Sequence, residues 1–182
     1  MNVANQDVNQ LIELCENGDA KAQFAIYKLY YKAMYNTAFR IVNDSFEAED
    51  VMQESFLSAF TKLDSFSGQV TFGAWLKKIV INNSITALKK HHKFEMVPLE
   101  KVAVSSIEED CPDYRDLDVN EILNKLATLK SNYKVALTLN LIEGYDCEEI
   151  AQIMAISYEN TRTTISRAKN KLRKLLSETY AR

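Results

Sequence analysis

Glycine and proline are scarce in this chain, four and two in 182 residues. A β-rich protein of that size needs more turn punctuation, so the shortage points to an all-α fold of long helices with few connections. Cysteine is equally sparse. Cys15, Cys111 and Cys147 are far apart, odd in number and form no CxxC pair. That speaks against a zinc site or a disulfide framework and fits a reducing cytoplasm. No run approaches the roughly 18 apolar residues of a membrane span, and the N-terminus lacks a basic patch followed by an apolar run. A membrane-inserted segment and a signal peptide are therefore not expected. Also missing are a Gly-rich phosphate loop, a nucleophile elbow and metal-ligand spacing. The two histidines, His91 and His92, are adjacent and read as part of a basic helix tail. No catalytic residue, cofactor or metal is expected.

What is there is an ordinary globular composition, 47% hydrophobic and 26% charged, with a polarised charge. The net charge of −3 looks wrong for a nucleic-acid binder until it is divided by segment. Residues 1–94 are neutral, residues 95–118 carry −6 and residues 119–182 carry +3. Local patches, not the total, decide partners.

Helical spacing and breaks predict helices near 6–16, 19–43, 46–64 and 72–92. The second repeats Phe24, Tyr27, Leu29, Tyr31, Met34, Tyr35, Phe39 and Val42 at helical intervals. Both prolines, Pro98 and Pro112, fall in the acidic stretch 95–118, alongside Glu108, Glu109 and Asp110. A segment of that composition buries too little apolar surface to offset its ordering entropy, so it reads as a flexible linker. Helical patterns resume near 119–129, 131–143, 146–153 and 158–178. The expected architecture is two small helical domains, 1–94 and 119–182, joined by that linker.

The strongest local signal is C-terminal. Ile150, Ile153, Met154 and Ile156 form a tight apolar set, and Ala151 is small where two crossing helices must approach. Ser157 is placed to cap the next helix. In that helix Ile165, Ala168, Leu172 and Leu175 or Leu176 mark a buried face. Arg162, Thr163, Ser166, Arg167, Lys169, Arg173 and Lys174 mark the opposite one, and residues 162–182 carry +6. A basic helix alone is more often merely solvated. Preceded by a short helix and tight turn, it reads as a helix-turn-helix whose second helix suits the major groove.

In the N-terminal half, Val51, Met52, Phe56, Ala59, Phe60 and Leu63 predict an inward stripe, with Glu49, Asp50, Gln53 and Glu54 clustered on another side. A di-metal bundle would need Glu-x-x-His pairs that the chain lacks. An acidic docking surface for a basic protein partner is the better reading. Residues 75–93 have Lys77, Lys78, Lys89, Lys90 and Lys93 and no acid, with Asn82, Asn83, Ser84 and Thr86 interleaved. Trp75 reads as core. The polar loop Phe66-Ser67-Gly68-Gln69 beside these cations suits an unstacked base.

These segments together resemble the extracytoplasmic-function group of sigma-70-type sigma factors, over about residues 8–176. The carriers are Glu49-Asp50-Val-Met-Gln53-Glu54-Ser-Phe56, Leu63-Asp-Ser-Phe66-Ser-Gly68, and Phe72-Gly-Ala-Trp75-Leu76-Lys-Lys-Ile79-Val-Ile-Asn82. Beyond the linker come Gly144-Tyr-Asp-Cys-Glu-Glu-Ile150-Ala151 and Ser166-Arg167-Ala168-Lys169. The resemblance implies a factor that brings core RNA polymerase to promoter DNA. Glu49, Asp50, Gln53 and Glu54 would dock on the clamp helices of the largest polymerase subunit. Phe66, Ser67, Gly68, Gln69, Lys77, Lys78, Asn82, Asn83, Thr86 and Lys89 would engage the −10 element. Asn160, Arg162, Thr163, Ser166, Arg167 and Lys169 would engage the −35 element, and the acidic linker would thread through polymerase. An anti-sigma factor is an implied partner. This sequence departs from the group at Ala155 (usually Gly), Thr161 (usually apolar), Thr164 (an Arg position), Ile81 (often Arg) and Thr86 (often Asp). The alternative is a stand-alone helix-turn-helix regulator with a helical sensor or dimerisation domain, in which the acidic helix has no evident role.

Overall fold

The computed structural model describes the backbone of residues 3–90 and 118–180, and the side chains of 8–90 and 118–178. The chain divides into two compact units, Met1–His91 and His92–Arg182. Every regular element among the described residues is helical. Residues 95–117 of the expected linker, with Cys111 and both prolines, lie outside the described residues, as do His91, His92 and Lys93. Asp118, its last residue, caps the helix that follows, its carboxylate accepting from the Asn120 N–H at 3.0 Å.

The N-terminal unit contains α1 (Val3–Glu16), α2 (Ala20–Val42), α3 (Ser45–Thr61) and α4 (Phe72–Lys90), with a 3₁₀ turn at Leu63–Ser65. Short polar side chains set the starts. Asp19 accepts from the N–H groups of Lys21 and Ala22, and Asp44 from those of Phe46 and Glu47. Each such cap satisfies donors the helix itself cannot and is worth about 1 kcal/mol. Between α2 and α3, Asn43 turns the chain in the left-handed region at φ 60°, one of the few non-glycine residues that tolerates it.

Helices α2, α3 and α4 pack mutually, while α1 lies on α2. Their core is Ile26, Met34, Ala38 and Ile41 from α2, Val51, Met52, Phe56 and Ala59 from α3, and Leu76, Val80, Ile81, Ile85 and Leu88 from α4. The inward stripe expected on α3 is observed, with Phe60 half-buried at its margin. Ile81 is wholly inside this core. The apolar repeat in α2 divides differently from a simple core face. Met34 and Val42 are buried, Phe24, Leu29 and Phe39 are exposed, and the tyrosines are half-buried. Small residues, Ala22, Thr37 and Ala38, occupy the buried face instead, because close helix approach requires short side chains there.

The C-terminal unit contains α5 (Val119–Ala127), α6 (Ser131–Leu137), α7 (Cys147–Met154) and α8 (Tyr158–Tyr180). The helical span expected over 131–143 is found at 131–142, but its second half is not α-helical. After α6 the backbone widens into a π-helical segment, Thr138–Ile142, closed by Glu143 N–H donating to Thr138 O at 3.0 Å. Gly144 at φ 80° then reverses the chain, and Tyr145 N–H returns to Leu139 O. The periodicity of the apolar side chains carries no sign of this change, because it arises from the backbone turn that follows.

Helix α7 starts with a capping box. Asp146 accepts from the N–H groups of Glu148 and Glu149, and Glu149 accepts in return from the Asp146 N–H. Helix α8 packs on α6 and α7 through Ile165, Ala168, Leu172 and Leu176, which decides between Leu175 and Leu176. Thr161 is fully buried and satisfied by donating to Ser157 O. Thr164 is only 7% exposed, its hydroxyl 3.4 Å from Asn160 Oδ1, so this position faces the packing.

Ala155 forms the turn between α7 and α8 at φ 58°, ψ 48°, and Ile156 N–H donates to Ala151 O in the six-residue closure typical of glycine turns. A Cβ in this conformation costs about 1–2 kcal/mol. Ala155→Gly is therefore expected to stabilise the C-terminal unit by about 1 kcal/mol, since glycine's freedom in the unfolded chain offsets part of the gain. Thermal unfolding of the full chain should show that unit's midpoint rising by about 4–8 °C. An unchanged or lower midpoint refutes the strain.

Candidate functional site

Three surfaces bring together the residues singled out by the sequence. The first is the outer face of α3. Glu49, Asp50, Gln53 and Glu54 are all exposed, and Gln53 Nε2 donates to Glu49 Oε1 at 3.3 Å. Two large apolar residues share this face. Phe46 is 81% exposed and Leu57 68%. At 100° per residue, Phe46, Asp50, Gln53 and Leu57 form one line, so the carboxylates are bracketed by unburied hydrophobic groups. The sequence reading missed Phe46 and Leu57. Their signal was present, spacing of four, three and four residues on the side opposite the core stripe.

The second surface is α4 with the loop before it. Lys78, Asn82, Thr86 and Lys89 are exposed along one side of the helix, and Thr86 Oγ1 donates to Asn82 O at 2.8 Å. Lys77 is half-buried and lies about a quarter turn away from Lys78. Asn83 is turned toward α3, donating its amide to Ser55 Oγ at 3.0 Å. In the loop, Ser67, Gly68 and Gln69 are exposed, with Gly68 at φ 71°. Phe66 is half-buried at the root of the loop. Its ring centroid lies 5.6 Å from Phe72, edge-on, and 5.4 Å from Trp75. Trp75 is half-buried in this aromatic cluster, not fully in the core. Tyr30 completes the cluster against Phe72 at 5.6 Å, and burial pushes its phenol up from the ordinary tyrosine value.

The third surface is α8. Arg162, Ser166 and Lys169 line a groove of about 360 Å³ together with Cys147, Ile165, Asn170 and Arg173. Arg162 also lies over the Tyr158 ring, 6.0 Å from its centroid. Asn160, Thr163 and Arg167 fall on a neighbouring strip and are half-buried. Thr163 Oγ1 donates to Glu159 O, and Asn160 N–H donates to Ser157 Oγ, the expected cap. Arg173 and Asn170 extend the groove by one turn. The three- and four-residue spacing that places Arg162, Ser166 and Lys169 on one side reaches Arg173 as well. No cluster of three or more His, Cys, Asp or Glu among the described residues is placed to hold a metal, and no helix among them is long and apolar enough to cross a membrane.

Residues 26–94 match the family Sigma-70 region 2, and residues 120–172 match Sigma-70, region 4. The chain is 30% identical over 178 residues to the RNA polymerase sigma-H factor of Pseudomonas aeruginosa, covering 92% of each. This chain belongs to the sigma-70 family, in its extracytoplasmic-function group. The sigma factor is also 27% identical over 183 residues to the ECF RNA polymerase sigma factor SigW of Bacillus subtilis, covering 94% of this chain and 97% of that one. Among solved structures it is similar to the sigma factor RpoE in complex with the anti-sigma factor NepR from Bartonella quintana. The TM-score is 0.57 at 25% identity, covering 84% of this chain and 95% of that one. It is a promoter-specific transcription initiation factor, in a family that is not enzymatic. The alternative of a regulator acting without polymerase is not favoured, since both halves match sigma regions.

The sigma factor's loop cluster depends on one close approach. A Cβ on Gly73 would lie 2.9 Å from Tyr30 Cε1, with the ring held between α2 and Phe72. Gly73→Val is expected to destabilise the N-terminal unit by about 1–3 kcal/mol through overpacking. Denaturant unfolding of the full chain measures this, and an unaltered midpoint would show that the ring moves aside freely.

Proposed function

We propose that the sigma factor acts in the cytoplasm, without catalysis of its own, by gripping polymerase with α3 and reading two promoter elements with α4 and α8. In this reading residues 1–94 form the region 2 domain, 95–118 an acidic linker and 119–182 the region 4 domain. Glu49, Asp50, Gln53 and Glu54, with Phe46 and Leu57, meet the clamp helices of the largest polymerase subunit. The carboxylates set orientation and encounter rate, while the exposed Phe and Leu supply the apolar burial that gives an interface its affinity. Lys78, Asn82 and Lys89 meet the −10 element on the exposed side of α4, with Ser67, Gly68 and Gln69 enclosing an unstacked base. Arg162, Ser166 and Lys169 meet the −35 element from the α8 groove, with Asn160, Thr163 and Arg167 beside them.

The observation that carries this reading is the segregation of charge. α4 and α8 each present cations on a face opposite their core residues, and α3 presents carboxylates between two exposed hydrophobic groups. Because the similar RpoE was solved with an anti-sigma factor, an anti-sigma protein is also proposed as a partner here.

Run-off transcription with purified core enzyme and a broad promoter library is expected to give promoter-specific transcripts, and their absence counts against the reading. Arg167→Ala is expected to weaken −35 recognition by about 1–3 kcal/mol, with the loss concentrated at one base position. A loss equal on every sequence would assign Arg167 to a phosphate instead.

A further inference from the structure

The exposed side of α2 belongs to none of the three surfaces. This helix carries Lys21, Lys28, Lys32 and Arg40 and no acid in 23 residues, together with six aromatic rings. At 100° per residue, Lys21, Lys28 and Lys32 fall in one strip about 100° wide with Phe24, Tyr31, Tyr35 and Phe39. The three lysines are exposed, as are Phe24 at 57% and Phe39 at 40%, and Tyr31 and Tyr35 are half-buried. Tyr30, which packs on Phe72 of the loop cluster, lies about 150° round the helix from this strip, so the two surfaces are separate.

The rings on the strip are ordered. Tyr35 and Phe39 lie 6.0 Å apart with planes 11° from parallel, and Tyr31 stacks on Tyr27 at 5.6 Å and 16°. Lysines alternate with them. Lys28 Nζ is 4.5 Å from the Phe24 ring centroid, and Lys32 Nζ is 6.0 Å from that of Tyr31. A cation beside a π face matches a nucleotide, the one for its phosphate and the other for its base. Duplex DNA answers only half of this pattern, since its bases are already stacked on one another. An acidic peptide answers the lysines and leaves the rings unmatched. A single strand supplies a phosphate and a free base face in every repeat. From Lys21 to Phe39 the strip runs about 27 Å, room for about four nucleotides, the short end of single-strand sites. Transcription initiation opens the duplex, so such a strand is present where this factor acts.

We infer that the exposed strip of α2 is a stacking surface for an unpaired strand of the opened promoter. Phe24, Tyr35 and Phe39 take bases, and Lys21, Lys28 and Lys32 take phosphates, with Lys28 exchanging the Phe24 ring for one. The surface holds DNA without reading its sequence, because every base has a π face. It is additional to the contacts proposed for α4 and its loop.

The test uses holoenzyme assembled from the full chain and core polymerase, on a promoter that it transcribes. A Phe24→Ala, Phe39→Ala double variant is expected to shorten the lifetime of the open complex about tenfold or more. Lys28→Glu is expected to shorten it as well, and more strongly at low salt than at high salt. Phe24→Tyr, which keeps the π face, is expected to retain the lifetime. Binding to core polymerase without DNA is expected to be unchanged in every variant. Both phenylalanines are exposed, and thermal unfolding verifies that the variants are folded. If the double variant weakens core binding and leaves the open-complex lifetime intact, the strip contacts a protein and the inference is overturned. If neither quantity changes, it is overturned too. Lys78→Glu reports on α4 independently. A loss of promoter binding in that variant, with no effect of the α2 variants, leaves the α4 reading standing and removes this one.

Discussion

The close packing of α3 against α4 is the constraint on which the N-terminal unit depends. Val51, Met52 and Phe56 of α3 and Val80 and Ile81 of α4 are buried in the core of this unit, as are Ser55 and Ser84. Each serine returns its hydroxyl to its own helix, at Val51 O and Val80 O, so burying it leaves no unsatisfied donor. Ser55 also accepts from Asn83, which joins the two helices across the contact. With the apolar sides committed inward, Glu49, Asp50 and Glu54 of α3 and Lys78, Lys89 and Lys90 of α4 are left exposed. An acidic ridge and a basic ridge thus come from adjacent elements of one small bundle.

The C-terminal unit uses the same logic with different local devices. The capping box at Asp146 and Glu149 starts α7, the left-handed Ala155 ends it, and Ser157 starts α8. These three features set the angle at which α8 leaves the turn. Ile150, Met154, Ile165 and Ala168 then bury the seam, and the cationic side of α8 is the one that remains. The buried threonines at 161 and 164 satisfy their hydroxyls by hydrogen bonds within the helix.

Much of this was legible in the amino-acid order. Helix positions followed from apolar spacing, and the start of α8 from Ser157, because capping and periodicity are local properties. The candidate surfaces were legible for a related reason. Cations without intervening acids over 75–93, and carboxylates at 49, 50 and 54, mark helix faces whatever the bundle's arrangement. The π-helical segment after Leu137 was not legible, since it follows from how the Gly144 turn closes on the preceding helix. Nor was the exposure of Phe24, Leu29 and Phe39, because α2 is apolar on more sides than it buries.

Residue order alone therefore settled the class of protein, the helical elements and the sign of charge on each exposed face, all of which arise within a single helix. Which side chains share a cavity depended on packing between helices distant in sequence. Asn83 and Thr86 read as DNA contacts along their own helix, yet they line a groove with Asp50 and Glu54, some thirty residues earlier in the chain. The Asn83 amide donates across that contact to Ser55, and no periodicity within α4 encodes it.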